Sequence, residues 1–475
     1  MKILIVQLAR LGDIALTWPT IRALKRNRPS AEVHLLVRKS FGEFARVIPE
    51  VSVTHELDTA KWLLDLSKGD VKDVTGHFLT EIESIRNEKF DQVINLTFSI
   101  SSSYLTHLLE ENVPHVSGYS RFSDGGLKLS DHTSSYFFAQ VGSHNRFHVG
   151  DLFSAVAGVE LKFEDWIPLM SETELKGVPP YLVIHIGASE FEKTYPIDYW
   201  KQVINQLLKH YKGVVYLVGG KTEKFLSDEI EKSVFSSRLV SLVGDTSIYD
   251  LTQLISNSEV FIGCDSGPLH VATLSGVPAI NLSIGPVRFW ETGPRSAGSR
   301  VLISKRREEL APSVVMSEIE AVFQGRSGQK ASIEVESPLA PYKTSLPSSF
   351  QWKLIEFLYI GEPAPRVSDE GTKIALMEIA DLYEIVMKQL DVLRDLPNQR
   401  VSAGIISRCE EAIKIVGQKC EFIEPLVSWF FSELSRIGPC DASAAIEETR
   451  QKYFMLGKSL IELLHTTEKV GERNV

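Results

Sequence analysis

Cysteine is scarce in this 475-residue chain. Cys264, Cys409, Cys420 and Cys440 are the only four, and no two form a Cys-x-x-Cys pair. A disulfide scaffold is thereby excluded, and the metal signal is weak. The spacing of Cys409, Cys420 and Cys440 fits no tight metal site, so buried thiols are expected there. Long apolar runs are also missing: none reaches the roughly 18 residues that would suggest a membrane span. Met1 to Ala9 is apolar but broken by Gln7 and stopped by Arg10, too short and wrongly flanked for a secretion signal. A cytoplasmic protein is expected, with any membrane contact peripheral. Positive charge is not in excess either: 51 Lys and Arg stand against 61 Asp and Glu, a net charge of −10. That balance argues against general nucleic-acid binding.

What is present is ordinary globular composition, 43% hydrophobic and 24% charged. One core rarely extends past about 250–300 residues, so two or three domains are expected. Ile3-Leu4-Ile5-Val6 is an apolar run of the kind buried on both faces of a parallel sheet. A helical pattern from Ile14 to Lys25 follows, then strands at Val33 to Val37 and Asp91 to Asn95. Helices are expected at Ser101 to Leu109 and His148 to Val156. A second alternating series starts at Tyr181 to Ile186. It runs through helix 198–211, strand 214–218, helix 222–233, strand 239–243, helix 248–256, strand 260–262, helix 267–274 and strand 279–282. Strands separated by helices of this length predict an α/β fold of two facing Rossmann-like domains with the ligand cleft between them.

The expected divisions are a first Rossmann-like domain over 1–170 and a second over 171–325. A Ser/Pro-rich linker over 326–350 and an all-α helical bundle over 351–475 follow. The irregular stretch from Trp166 to Pro180 reads as a hinge. In the bundle, Ile379, Leu382, Val386, Leu390 and Leu393 form one apolar stripe. Gly438-Pro439 breaks the last two helices apart, and Asp441 is placed to cap the final one. The bundle carries no recognisable chemistry.

Four motifs lie at the carboxyl ends of predicted strands. In Gly263-Cys264-Asp265-Ser266-Gly267-Pro268-Leu269-His270 a strand turns into a helix that opens near Pro268. Unpaired N–H groups at such a start suit a phosphate or diphosphate, with Ser266 as a hydroxyl donor and His270 one turn in. The bland reading, that Asp265 and Ser266 cap the helix and His270 is packed core, is equally open. In Arg10-Leu11-Gly12-Asp13, Asp13 has the place of a general base and Gly12 admits a tight turn, although an aspartate capping the helix is the commoner reading. His185-Ile186-Gly187-Ala188-Ser189 leads to Lys193, a flexible point charge for a leaving phosphate or a solvated surface lysine. Gly219-Gly220 leads to Glu223, an acceptor for ribose hydroxyls or an acid in the first turn of a helix. Arg10, Arg22, Lys25, Arg26, Arg28, Arg38 and Lys39 cluster near the N-terminus, either as a face for an anionic glycolipid or as a solvated helix face.

Together these residues resemble glycosyltransferase family 9, whose best-known members are ADP-heptose:lipopolysaccharide heptosyltransferases. The likeness covers about Met1 to Phe323, and Asp265-Ser266-Gly267-x-x-His270 is its most specific part. The resemblance implies a GT-B fold and inverting, metal-independent transfer from a nucleotide-diphosphate sugar, with no cofactor. By position, Asp13 matches the catalytic base and Lys193 the lysine on the donor phosphates. Glu223 matches the acid at the ribose, and Ser266, Gly267 and His270 the diphosphate cradle. Asp265, Gly187 and Gly219 complete the donor side, and Arg10 and Gly12 stand on the acceptor side. The chain departs from the family at Asn95 to Ser101, which lacks the usual acidic residue, Gln-Gly and lysine, at Tyr195 in place of Trp, and in the helical extension.

The leading expectation is therefore transfer of a heptose or related sugar from an ADP-linked donor to a lipopolysaccharide-core or other surface glycan. The alternatives are a protein acceptor docked by the helical extension and a non-catalytic GT-B scaffold. Self-association or partner docking through that extension stays open.

Overall fold

The computed structural model describes residues 1–166, 179–188, 190–326, 332–335 and 349–468. Ser189, most of the expected hinge and most of the expected linker lie outside these residues. The strands, in chain order, are β1 (Lys2–Val6), β2 (Glu32–Arg38), β3 (Val53–Leu57) and β4 (Gln92–Asn95). They continue with β5 (His115–Arg121), β6 (Leu127–Leu129), β7 (Tyr181–His185), β8 (Val214–Val218) and β9 (Leu239–Ser241). The last four are β10 (Phe261–Cys264), β11 (Ala279–Ile284), β12 (Arg300–Ser304) and β13 (Ser332–Glu334).

The chain divides into two compact units, Met1–Gln92 with Phe147–Ser345, and Val93–Arg146 with Leu346–Val475. In the first unit β1 pairs in parallel with β2, and β2 with β3. Ile3 to Val6 are fully buried, as expected of a strand covered on both faces. β1 leads into the helix Leu11–Asn27, whose inward face includes Ile14, Leu16, Trp18 and Ile21.

The same unit holds a seven-stranded sheet in the order β13-β12-β11-β10-β7-β8-β9, parallel except for the antiparallel edge strand β13. Its order reverses between β7 and β10, which lie side by side with Gly263 opposite His185. Ligands of open α/β sheets bind in the crevice at such a reversal, beyond the carboxyl ends of the strands. The motifs that follow β7 and β10 therefore open onto one crevice. Leu182, Ile184, Trp200, Ile204, Leu217, Ile262, Ile280 and Leu282 lie in the core that fixes the strands beneath it.

The second unit joins the stretch after Gln92 to the C-terminal helices. β5 and β6 form an antiparallel pair, and the buried Asn95 side chain donates to the Tyr119 carbonyl at 2.7 Å. Helices Phe350–Ile360, Glu370–Asp395, Arg400–Lys419, Glu424–Leu434 and Ala442–Glu468 enclose a core that includes Leu354, Leu376, Ile379, Val386, Phe430, Tyr453 and Leu460. Asp441 caps the last helix through the Ala444 N–H at 3.0 Å. Helix His132–Gln140 packs against helix Glu424–Leu434 through a polar seam. Ser135 bonds Ser432 at 2.6 Å and Glu433 at 3.2 Å, and His144 pairs with Glu424 at 2.7 Å. No helix among the described residues is long and apolar enough to cross a membrane.

Candidate active site

The site is built on four strand ends of the first unit. Asp13 lies in the first turn of helix Leu11–Asn27, and its Oδ2 accepts the backbone N–H of Arg10 at 3.0 Å. The helix-capping role is thus real, and it uses one carboxylate oxygen. Burial raises the Asp13 pKa above the ordinary aspartate value, against the opposing pull of the Arg10 N–H and of His270.

Helix Gly267–Leu274 begins beside Asp13. A Cβ on Gly12 would lie 2.6 Å from His270 Cδ2, and one on Gly267 would lie 3.1 Å from Leu11 Cδ2. Two glycines therefore let the two helix starts touch. That contact brings the candidate base to the candidate diphosphate cradle. His270 is buried and held neutral, its pKa pushed down to about 4 by desolvation, with its Nδ1 lacking a hydrogen-bond partner.

Ser266 occupies the N-cap position of that helix, but its hydroxyl makes no bond to the helix. It faces His185 Nδ1 at 3.2 Å instead. Asp265 accepts the Thr292 hydroxyl at 2.9 Å, and burial raises its pKa against the pull of Thr292, Lys193 and Arg10. Glu223 lies over Gly187 and Gly219, where any Cβ would collide with its carboxylate. The Gly220 N–H donates to Glu223 Oε2 at 2.6 Å, and burial raises the pKa of this acid too. Lys193 closes the short helical turn Phe191–Lys193 and pairs with Glu190 at 3.0 Å, while Arg10 reaches the same carboxylate at 4.0 Å.

Asp13, Gly12, Gly267 and His270 thus form one cluster, and Glu223, Gly187, Gly219 and Ser266 meet around His185. Three participants have roles that the sequence alone does not assign. Thr292 and His185 act through contacts distant in sequence, whereas Glu190 could be found only from its spacing of three before Lys193. Most of the N-terminal cations are engaged internally. Arg22 pairs with Glu50, Arg26 with Asp165 and Lys39 with Asp58, while Arg38 donates to the Ala9 carbonyl. Arg10, with its side chain 68% exposed, reaches Glu190 instead. Cys264 is buried beneath the site and its thiol is pushed up to about 12, so it is inert. Among the described residues no three His, Cys, Asp or Glu side chains stand together as a metal site.

Residues 79–321, more than half of the chain, match glycosyltransferase family 9 (heptosyltransferase). The chain belongs to that family. It is a glycosyltransferase. Lipopolysaccharide heptosyltransferase 3 of Escherichia coli K12 is 26% identical over 278 residues, which are 57% of this chain and 79% of the relative. Among solved structures, the E. coli heptosyltransferase WaaC with ADP aligns with a TM-score of 0.54 at 16% identity. It covers 68% of this chain and all of WaaC. The E. coli ADP-heptose lipopolysaccharide heptosyltransferase II aligns with a TM-score of 0.53 at 19% identity, over 68% of this chain and 99% of its own. The transferase therefore has the GT-B fold, with an added helical C-terminal region.

Within the transferase, Glu190 occupies Lys193 with a negative charge of the protein's own. If Lys193 meets the phosphates of a nucleotide donor, Glu190→Gln should tighten ADP binding by about two- to fivefold, measured calorimetrically, because the diphosphate then has no competing carboxylate at Lys193. Unchanged or weaker binding would show that Lys193 does not meet the phosphates.

Proposed function

We propose that this transferase moves a heptose, or a closely related sugar, from an ADP-linked donor to a lipopolysaccharide-core or other surface-glycan hydroxyl, with inversion and without a metal ion. The observation that carries this reading is the close approach of Gly12, the neighbour of Asp13, to His270 and Gly267 at the start of helix Gly267–Leu274. In one displacement, the Asp13 carboxylate takes the proton of the acceptor hydroxyl. The acceptor oxygen forms its bond to the anomeric carbon from the face opposite the nucleotide, and the bond from that carbon to the diphosphate oxygen breaks. One base suffices, because ADP leaves as an anion.

The negative charge that grows on the leaving diphosphate is met by Lys193, the Gly267 N–H, the Ser266 hydroxyl and the positive end of the helix. These groups support the metal-independent reading, since the chain itself supplies the stabilising charge. Glu223, fixed by the Gly220 N–H, is the acceptor for the ribose hydroxyls. The ADP and heptose assignments rest on the relatives, among them an E. coli enzyme solved with ADP.

Incubating the full chain with ADP-heptose or UDP-linked sugars and a lipopolysaccharide-core acceptor tests the reading. Transfer from ADP-heptose alone, with inverted anomeric configuration by NMR and full rate in chelator, is expected. Retention of configuration, or loss of activity in chelator, would overturn the mechanism; transfer only from another nucleotide would overturn the donor assignment. A protein acceptor is the second reading. It is favoured by the packing of helix Glu424–Leu434 on helix His132–Gln140, which makes the extension part of the unit that contains residues 93–146. Labelling of protein rather than glycan in the same assay supports it. A scaffold role requires that no nucleotide bind.

A further inference from the structure

His185 ends β7 and is nearly enclosed, with its side chain 10% exposed. Gly263, its parallel neighbour, makes the room: a Cβ there would lie 3.2 Å from that of His185. The ring reaches two groups assigned to opposite ends of the donor. Nδ1 lies 3.2 Å from Ser266 Oγ, and Nε2 lies 3.9 Å from Glu223 Oε2. Burial pushes the His185 pKa down to about 4, so at neutral pH the ring is neutral and has one proton to place. Nδ1 is the ring nitrogen within hydrogen-bond distance of a partner, and the tautomer fixes which of the two atoms donates.

The consequence falls on Ser266. A hydroxyl has one hydrogen and two lone pairs. If it gave its hydrogen to His185, it would present only lone pairs to a diphosphate and repel it. If it accepts from His185, its own hydrogen is free to meet an anionic oxygen. Ser266 is also not held by its own helix, so nothing else in the first turn orients it.

We propose that His185 is a positioning residue for the donor: its Nδ1–H holds the Ser266 hydroxyl with the hydrogen turned out toward the diphosphate. This role rests on the donor reading above. It gives the buried histidine of β7 a purpose that its place in the strand does not require, since an apolar residue would fill the same space. His185 touches no reacting atom. It acts through Ser266.

Titration calorimetry on the full chain, with ADP and with adenosine, tests the role. His185→Leu is expected to weaken ADP about tenfold while adenosine affinity stays within twofold, because adenosine has no phosphate for Ser266 to meet. Ser266→Ala is expected to show the same loss, and the double variant no more than either, the non-additivity of one shared interaction. His185→Asn, which keeps an N–H near the position of Nδ1, is expected to restore most of the affinity. Equal losses for ADP and adenosine, additive losses in the double variant, or unchanged ADP binding in a folded His185→Leu would each overturn the role. If His185→Leu does not fold, Ser266→Ala alone decides: wild-type ADP affinity there overturns it. A wild-type chain that fails to bind ADP overturns the donor reading and this role together, whereas a wild type that binds and variants that match it overturn the role alone.

Discussion

Replacing Asp13 by asparagine is expected to cut kcat by about 10²–10⁴-fold, the usual contribution of a positioned general base, with ADP affinity almost unchanged. The asparagine would keep an oxygen for the Arg10 N–H and the shape of the first turn, so the loss isolates the proton transfer. The pH profile of the wild type should carry the same signature. Burial raises the Asp13 pKa, so the acid limb of kcat/KM should lie above the pH at which an ordinary aspartate titrates. Stability should change the opposite way. Asp13 binds a proton more readily folded than unfolded, so between the unfolded value and the raised folded value stability falls as pH rises, and it stays lowered above. The asparagine variant lacks this loss. It should melt higher than the wild type at neutral pH, with the gap closing as pH is lowered through the raised folded value. A variant with near-normal turnover would remove Asp13 from the chemistry.

The elements that carry this site were legible because their signals are local. Helices Ile248–Ser256 and Gly267–Leu274 occur at the expected residues, the first capped by the Ser247 side chain and the second opened by Pro268. The apolar runs of β1, β7 and β10 announce themselves without any partner. Strands β3 and β5 do not. Val53–Leu57 and His115–Arg121 are short, half-exposed and rich in polar residues, so neither alternation nor hydrophobicity marks them. Helices Thr59–Ser67 and Val71–Arg86 escape the sequence pattern for a related reason: the first has no buried residue and the second only Val74, Ile82 and Ile85. His185 shows the limit most clearly. It stands in a motif that the sequence brings forward, yet its meaning lies in Ser266, 81 residues away. The union of residues 93–146 with the C-terminal helices was equally hidden. Its seam is made of Ser135, Ser432, Glu433, His144 and Glu424, which periodicity counts as surface.

Glu433 lies in that seam, and Glu433→Ala is expected to destabilise the second unit. The side chain is 1% exposed, and burial alone would raise its pKa. Lys452 at 2.9 Å, Arg436 at 2.9 Å and His132 at 3.2 Å outweigh that effect and hold it below the ordinary glutamate value. Removing one member of a buried ionic cluster costs about 3–5 kcal/mol, because the remaining charges lose their partner. Here Lys452 and Arg436 are each about one-fifth exposed and can regain water, so about 2–3 kcal/mol is expected. Urea denaturation of the full chain should show it as a lower midpoint. Hydrogen exchange should locate it in peptides 132–140 and 424–434. Because the folded pKa lies below the unfolded one, this stabilisation is complete above the unfolded value and is lost as pH falls through the folded value. The difference between wild type and variant should therefore shrink in acid and be unaffected between neutral and mildly alkaline pH. Glu433→Gln, which can still accept from Ser135, should fall between the two. A midpoint equal to wild type in Glu433→Ala would mean that the cluster contributes no stability.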